Sequence, residues 1–337
     1  MSEATLQKIL EAYGVSYQLI QPSQKGYRNS SYPVLLTTGR TINLILYKPE
    51  SDMLARIQRA NRVANSLAAQ GLPTRQSVDH RIIRLSSGNI VKYGALYNYL
   101  PGETIPWEAY TKQHLKLAGM AMSIMHQRLR SLGDQKPYVT DEYQTINQRM
   151  WRYFADQNVQ TALLKKLQLS LEEAVFHKNM TLLQLCHSLP NQQMLHMDFV
   201  RSNLLFASAQ AGDRFVEKGL ALSGVLDFEK TAFGHPLFDI ARTLAFLLVD
   251  CKYKTPDEIK KYFLRSGYAK RGGVVLQNVV FRQNTKRIDA FDGLVELFLL
   301  HDFYKFLRHN PYESLPQNEH FMRTRDMLLA RQMIQYR

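Results

Sequence analysis

Cysteine is scarce. Cys186 and Cys251 are too few for a disulfide framework or a cysteine metal cluster, and each sits in a mainly apolar neighbourhood, so both read as core thiols. No apolar run approaches the ~20 residues that a membrane span requires. The longest candidate, "LVELFLLHDFYKFL", is broken by Glu296, His301, Asp302 and Lys305. The opening "MSEATLQKILEAYGV" mixes charge with Leu and Ile at helical spacing and has no apolar signal core, so a cytoplasmic location without a membrane partner is expected. Internal repeats and low-complexity tracts are also missing. Acid is in deficit: 29 Asp and Glu against 43 Lys and Arg leave a net charge of +14. That surplus attracts anions such as nucleotides, but the basic residues are scattered rather than blocked, which argues against a nucleic-acid partner.

A chain of 337 residues is long enough for two lobes, each with its own core. Two textures divide it. Before residue 100, "YPVLLTT", "TINLILYK" and "RIIRLSSGNIVKYGALYNYL" are short β-branched runs punctuated by turn residues, the pattern of antiparallel hairpins. One helical segment interrupts them, "LARIQRANRVANSLAAQ", stopped by Gly71 and Pro73. Beyond "LPGET" the periodicity is helical, as in "HLKLAGMAMSIMHQRL". The expected division is 1–98, a small antiparallel sheet with one main helix, and 99–337, larger and mostly helical.

The residues that carry chemistry cluster in "HMDFVRSNLLF" and "GVLDFEK". The first puts Asp198 and Asn203 five apart on a loop before an apolar strand; the second delivers Asp227 at a strand end. Phosphoryl transfer needs a carboxylate to orient or deprotonate the attacking hydroxyl, and oxygen ligands to hold Mg²⁺ on the triphosphate. Magnesium keeps several waters, so one carboxylate and one amide oxygen suffice. On this reading Asp198 is the base and Asn203 and Asp227 are the metal ligands.

His196, Asp198, Asn203 and Asp227, followed by "GHPLFDIARTLAF", resemble the aminoglycoside phosphotransferase and choline kinase branch of the protein-kinase-like superfamily. The resemblance implies an α+β bilobal fold in which 1–98 clamps the nucleotide and 99–337 holds the catalytic and substrate sites. It implies ATP and Mg²⁺ as cofactors, with His196 and Asp239 supporting the catalytic loop. It also implies a strand lysine on the α- and β-phosphates, for which Lys48 ends the apolar strand. The turn "QKGYRNSSYPV" would lie over the phosphates with Gly26, Ser30 and Ser31, and adenine would meet main-chain groups near Asn98 and Leu100.

Three positions depart from the family's pattern. Met197 stands where glycine is frequent. Arg201 lies beside Asp198, open either to an anionic substrate or phosphoryl group or to solvent. The helix 54–70 carries no acid to pair with Lys48; Glu50 and Asp52 precede it. The expected function is an ATP- and Mg²⁺-dependent kinase acting on a hydroxyl of a small molecule: a sugar, an amino alcohol, or a homoserine- or antibiotic-like compound. The alternatives are a nucleotide-binding pseudokinase or scaffold and a protein Ser/Thr kinase.

Overall fold

The computed structural model describes residues 3–25, 29–106, 108–133, 136–272, 280–283 and 286–336. The chain opens with α1 (Glu3–Ala12), followed by β1 (Tyr17–Ile20), β2 (Gln24–Lys25), β3 (Ser30–Leu36), β4 (Thr41–Tyr47), α2 (Met53–Ala69), β5 (Ile83–Ser87) and β6 (Ile90–Asn98). The strands form one antiparallel sheet of order β1-β3-β4-β6-β5, with β2 on β3.

Strand alternation splits this sheet into two apolar faces. Ile42, Leu44 and Leu46 of β4 and Leu96 of β6 pack on Leu6, Ile9 and Leu10 of α1. Ile45, Tyr47, Ala95 and Tyr97 face the other way, onto Met53 and Ile57 of α2. Further along α2, Ala60, Val63, Ala64 and Leu67 leave the sheet and enter the core of the helical part. A single helix thus belongs to both cores.

The remainder is dominated by α3 (Lys112–Leu129), α4 (Val139–Ala155), α5 (Gln157–Leu167), α6 (Ala174–His187), α7 (Leu237–Asp250), the short α8 (Pro256–Ile259), α9 (Ala290–His309) and α10 (Glu319–Ala330). A wide-turn π-helix, Lys260–Tyr268, lies along α3. Short strands build the loops between: β7 (Leu169–Ser170), β8 (Gln193–Leu195), β9 (Leu204–Ser208), β10 (Val216–Glu217), β11 (Leu220–Val225) and β12 (Ala232–Gly234). The pairings β9 with β11 and β8 with β12 are what position the site, because they hold the loops 196–203 and 226–231 side by side. The architecture is the bilobal kinase-like fold: a curled antiparallel sheet beside a largely helical lobe. Among the described residues, no helix is long and apolar enough to cross a membrane.

Candidate active site

A cleft of about 700 Å³ opens between the sheet and the helical lobe. Ile45 lines its upper wall and Leu205 and Leu226 its lower, with Asn98, Tyr99 and Leu100 along the connection between the lobes. Asp198, Asn203, Asp227, Glu229 and Lys230 line it as well. Apolar side chains beside carboxylates and cations in one cleft suit a flat base with a charged tail.

The loop before β9 is held by buried polar contacts rather than by regular secondary structure. Asp239, in the first turn of α7, accepts the N–H of His196 at 2.7 Å and of Met197 at 2.6 Å, and its carboxylate also meets His126 Nε2 at 3.1 Å. His196 is fully buried. Its Nδ1 accepts the Asp198 N–H at 3.1 Å while Nε2 donates to Leu226 O at 3.0 Å, an arrangement that needs the neutral ring. Burial favours that neutral form and pulls the imidazole pKa down despite the carboxylates of Asp239 and Asp198 nearby. His196 therefore ties the loop of Asp198 to the residue before Asp227 and does not face the cleft. Met197 sits at φ +58°, the left-handed region, which accounts for the frequency of glycine at this place.

Asp198 is buried, and burial alone would raise its pKa; Lys230 and Arg242 outweigh this and hold the carboxyl well below the usual range. Lys230 Nζ lies 2.8 Å and Arg242 Nη2 3.1 Å from the same oxygen, Oδ1. Oδ2 accepts the Asn203 amide at 3.2 Å, and that amide also donates to the Asp198 carbonyl at 2.9 Å. With its nitrogen engaged in this way, Asn203 is left with its oxygen for a cation.

Asp227, at φ +61°, stands against Glu229. Burial and Glu229 push the Asp227 carboxyl up, whereas against the same burial Arg75 holds Glu229 down. Glu229 Oε2 is buried with no hydrogen-bond donor. Two facing carboxylates with an unsatisfied oxygen need either a shared proton or a cation between them, and with the Asn203 oxygen they form a hard donor set that fits Mg²⁺. Among the described residues, no group of three or more His, Cys, Asp or Glu side chains forms a metal cage.

Several residues singled out in the sequence lie elsewhere. Lys48 is exposed, one position past β4 and outside the cleft lining; its backbone N–H meets Asn29 Oδ1 at 3.3 Å. Ser31 lines the cleft and bonds Asn43 Oδ1 at 2.7 Å, whereas Ser30 does not line it. Asn98 lines it too, its Oδ1 accepting the Gln76 N–H at 2.6 Å. Gly26 lies outside the described residues. Arg201 does not line the cleft: Nε bonds Asp250 at 3.1 Å and Nη1 donates to Ile105 O at 3.2 Å, so it fastens the loop to the end of α7. Sequence reasoning passed over Arg75, Glu229, Lys230 and Arg242. Glu229 and Lys230 carried a local signal, since they follow Asp227 immediately; Arg75 and Arg242 carried none.

The phosphotransferase enzyme family model matches residues 20–258. This chain belongs to that family. Among solved structures it resembles an amicoumacin kinase in complex with AMP-PNP, Ca²⁺ and amicoumacin, at 14% identity and a TM-score of 0.68, covering 98% of this chain and 94% of that one. It also resembles a microcompartment-associated aminopropanol kinase at 13% identity and TM-score 0.66, covering 99% and 100%. A macrolide 2'-phosphotransferase from Brachybacterium faecium follows at 15% identity and TM-score 0.56, covering 95% of each chain. At these identities the likeness is one of fold. Among curated proteins no sequence matches significantly.

Proposed function

We propose that the protein is an ATP- and Mg²⁺-dependent kinase that transfers the γ-phosphoryl group to a hydroxyl of a small molecule. The observation that carries this reading is the convergence of Asp198, Asn203 and Asp227 in the lining of one cleft that also carries the apolar side chains of Ile45, Leu205 and Leu226. Asp198 takes the proton of the acceptor hydroxyl as its oxygen bonds to phosphorus and the bond to the nucleoside diphosphate breaks. Its ionised state, maintained by Lys230 and Arg242, supports that role. Asp227, Glu229 and the Asn203 oxygen would hold Mg²⁺, which neutralises charge on the phosphates when bound. Asn98, Leu100 and Ser31 line the nucleotide side, with Ile45, Leu205 and Leu226 enclosing the base.

The acceptor side supports a narrower choice. Arg242 and Lys230 flank Asp198, and burial, reinforced by both cations against the pull of Asp302 and Asp198, brings the amine of Lys305 on α9 down to about 8. These three cations face the carboxylates of Asp198 and Asp302, so the surround is mixed in sign, and a neutral or zwitterionic alcohol is the acceptor class we propose over a polycationic aminoglycoside. The test is ATP consumption with a panel of sugars, amino alcohols, homoserine, aminoglycosides and generic protein acceptors. Transfer to a neutral or zwitterionic alcohol is expected, with Asp198→Asn lowering kcat by about 10²- to 10⁴-fold while nucleotide affinity is retained. Transfer confined to protein Ser or Thr would overturn the proposal, as would an Asp198→Asn variant as active as the parent.

A further inference from the structure

Nucleotide phosphates in the cleft need a cation on their nucleotide side, and Lys48 is badly placed to supply it. Alternation along β4 explains why. Asn43 and Ile45 face the cleft, so the next side chain on that face is Tyr47, and Lys48 falls past the strand on the other parity. Tyr47 is 1% exposed; its hydroxyl lies 2.7 Å from that of Tyr97 and accepts from Arg75 Nη2 at 3.3 Å.

Arg75 brings a buried positive charge to the same place. Its Nη2 is salt-bridged to Glu229, two residues after Asp227, and the guanidinium lies over the Tyr97 ring at 4.4 Å from the centroid. The backbone there is tied on both sides. Arg75 N donates to Val225 O at 3.3 Å, on the strand that leads to Asp227, and the preceding Thr74 hydroxyl donates to Ala64 O of α2 at 2.7 Å. Tyr97 in turn donates to Asn61 Oδ1 of α2 at 2.9 Å. This accounts for the helix without acid: the charge pair missing between strand and helix is present as Arg75 with Glu229, and α2 contributes an amide where a carboxylate would have no lysine to meet. The other upper-wall cation, Arg56, is part-exposed at the rim and paired with Glu50 at 3.0 Å.

We infer that Arg75 is the nucleotide-binding cation of this site, its guanidinium anchored on Glu229, Tyr47 and Tyr97 and meeting the phosphates in place of Lys48. The inference rests on the reading of the cleft as a nucleotide site. Calorimetric titration of the full-length protein with Mg·ATP and, separately, with adenosine tests it, because adenosine reports the intact base pocket without the phosphates. Arg75→Met is expected to weaken Mg·ATP by roughly 10- to 100-fold, the value of one charge-assisted hydrogen bond, and to leave adenosine unchanged. Arg75→Lys should recover most of the loss, and Lys48→Met should bind both ligands as the parent does. A parallel loss of both ligands in Arg75→Met would make Arg75 a structural residue and overturn the inference. Selective loss of Mg·ATP in Lys48→Met with none in Arg75→Met would return the role to Lys48. Binding of neither ligand by the parent protein would instead sink the nucleotide reading itself, and the inference with it.

Discussion

Asp198 keeps its charge in a place that disfavours charge, and two cations on a single oxygen are the reason. Arg242 is the more deeply buried of the two and also donates to the Tyr143 hydroxyl, so it joins α7, α4 and the loop of Asp198. Arg242→Met leaves Asp198 and Tyr143 without this partner, and a destabilisation of about 3–5 kcal/mol is expected in urea unfolding. Arg242→Lys should restore part of it; an unchanged midpoint for Arg242→Met would show that Lys230 alone suffices. The spacing of Asp198, Asn203 and Asp227 was legible because a loop and a strand end impose it locally. Arg75 was not, since the residue it pairs with is 154 positions away.

At the scale of elements, α3 and the π-helix Lys260–Tyr268 approach so closely that Gly119 meets Gly267. A Cβ added at Gly119 would run into the Phe263 carbonyl and lie 2.8 Å from Tyr268 N and 3.0 Å from the Gly267 Cα. These are backbone atoms that cannot swing aside, so Gly119→Ala should cost about 1–3 kcal/mol or more, read as a lowered Tm. The start of α7 carries a second consequence. His235 Nδ1 accepts the Leu237 N–H at 3.2 Å, a bond that the protonated ring cannot accept. Burial, aided by His126, lowers the His235 pKa from 6.5 to about 4. The folded state therefore favours the neutral ring. Its contribution is full above about pH 6.5 and is lost as pH falls toward 4, at about 1.4 kcal/mol per pH unit. Denaturant midpoints between pH 7 and pH 5 should fall accordingly, and His235→Asn, which accepts the same bond without titrating, should flatten that limb. A variant with the parent's pH dependence would assign the acid loss to other groups.

For the whole molecule, the question is whether two lobes behave as one. The sheet's cleft-side cluster and the helical core are separate, yet α2 places Met53 and Ile57 in the first and Ala60, Val63, Ala64 and Leu67 in the second. Arg59 adds a polar tie, its Nε donating to Thr231 O at 3.0 Å just beyond Lys230. Loss of either core removes the support of the other, so calorimetry should show one cooperative transition; two resolved transitions would mean that α2 does not couple them. On the proposed nucleotide reading of the cleft, Mg·ATP should raise the midpoint, with a gain of about 2.7 kcal/mol at a hundred times Kd.

The sequence by itself determined the two textures, the antiparallel sheet and the helical remainder, because side-chain period follows directly from backbone geometry. It marked Asp198, Asn203 and Asp227 as the candidate set for the same local reason, and the three line one cleft. Tertiary structure decided which charges face them. Strand parity and the end of β4 left Lys48 outside the cleft and turned Tyr47 inward, Arg201 went to Asp250, and chain crossings distant in sequence brought Arg75 to Glu229 and Arg242 to Asp198. A buried charge is stabilised by whichever opposite charge packs within reach, and that choice is written in the packing of distant segments rather than in the spacing of neighbours.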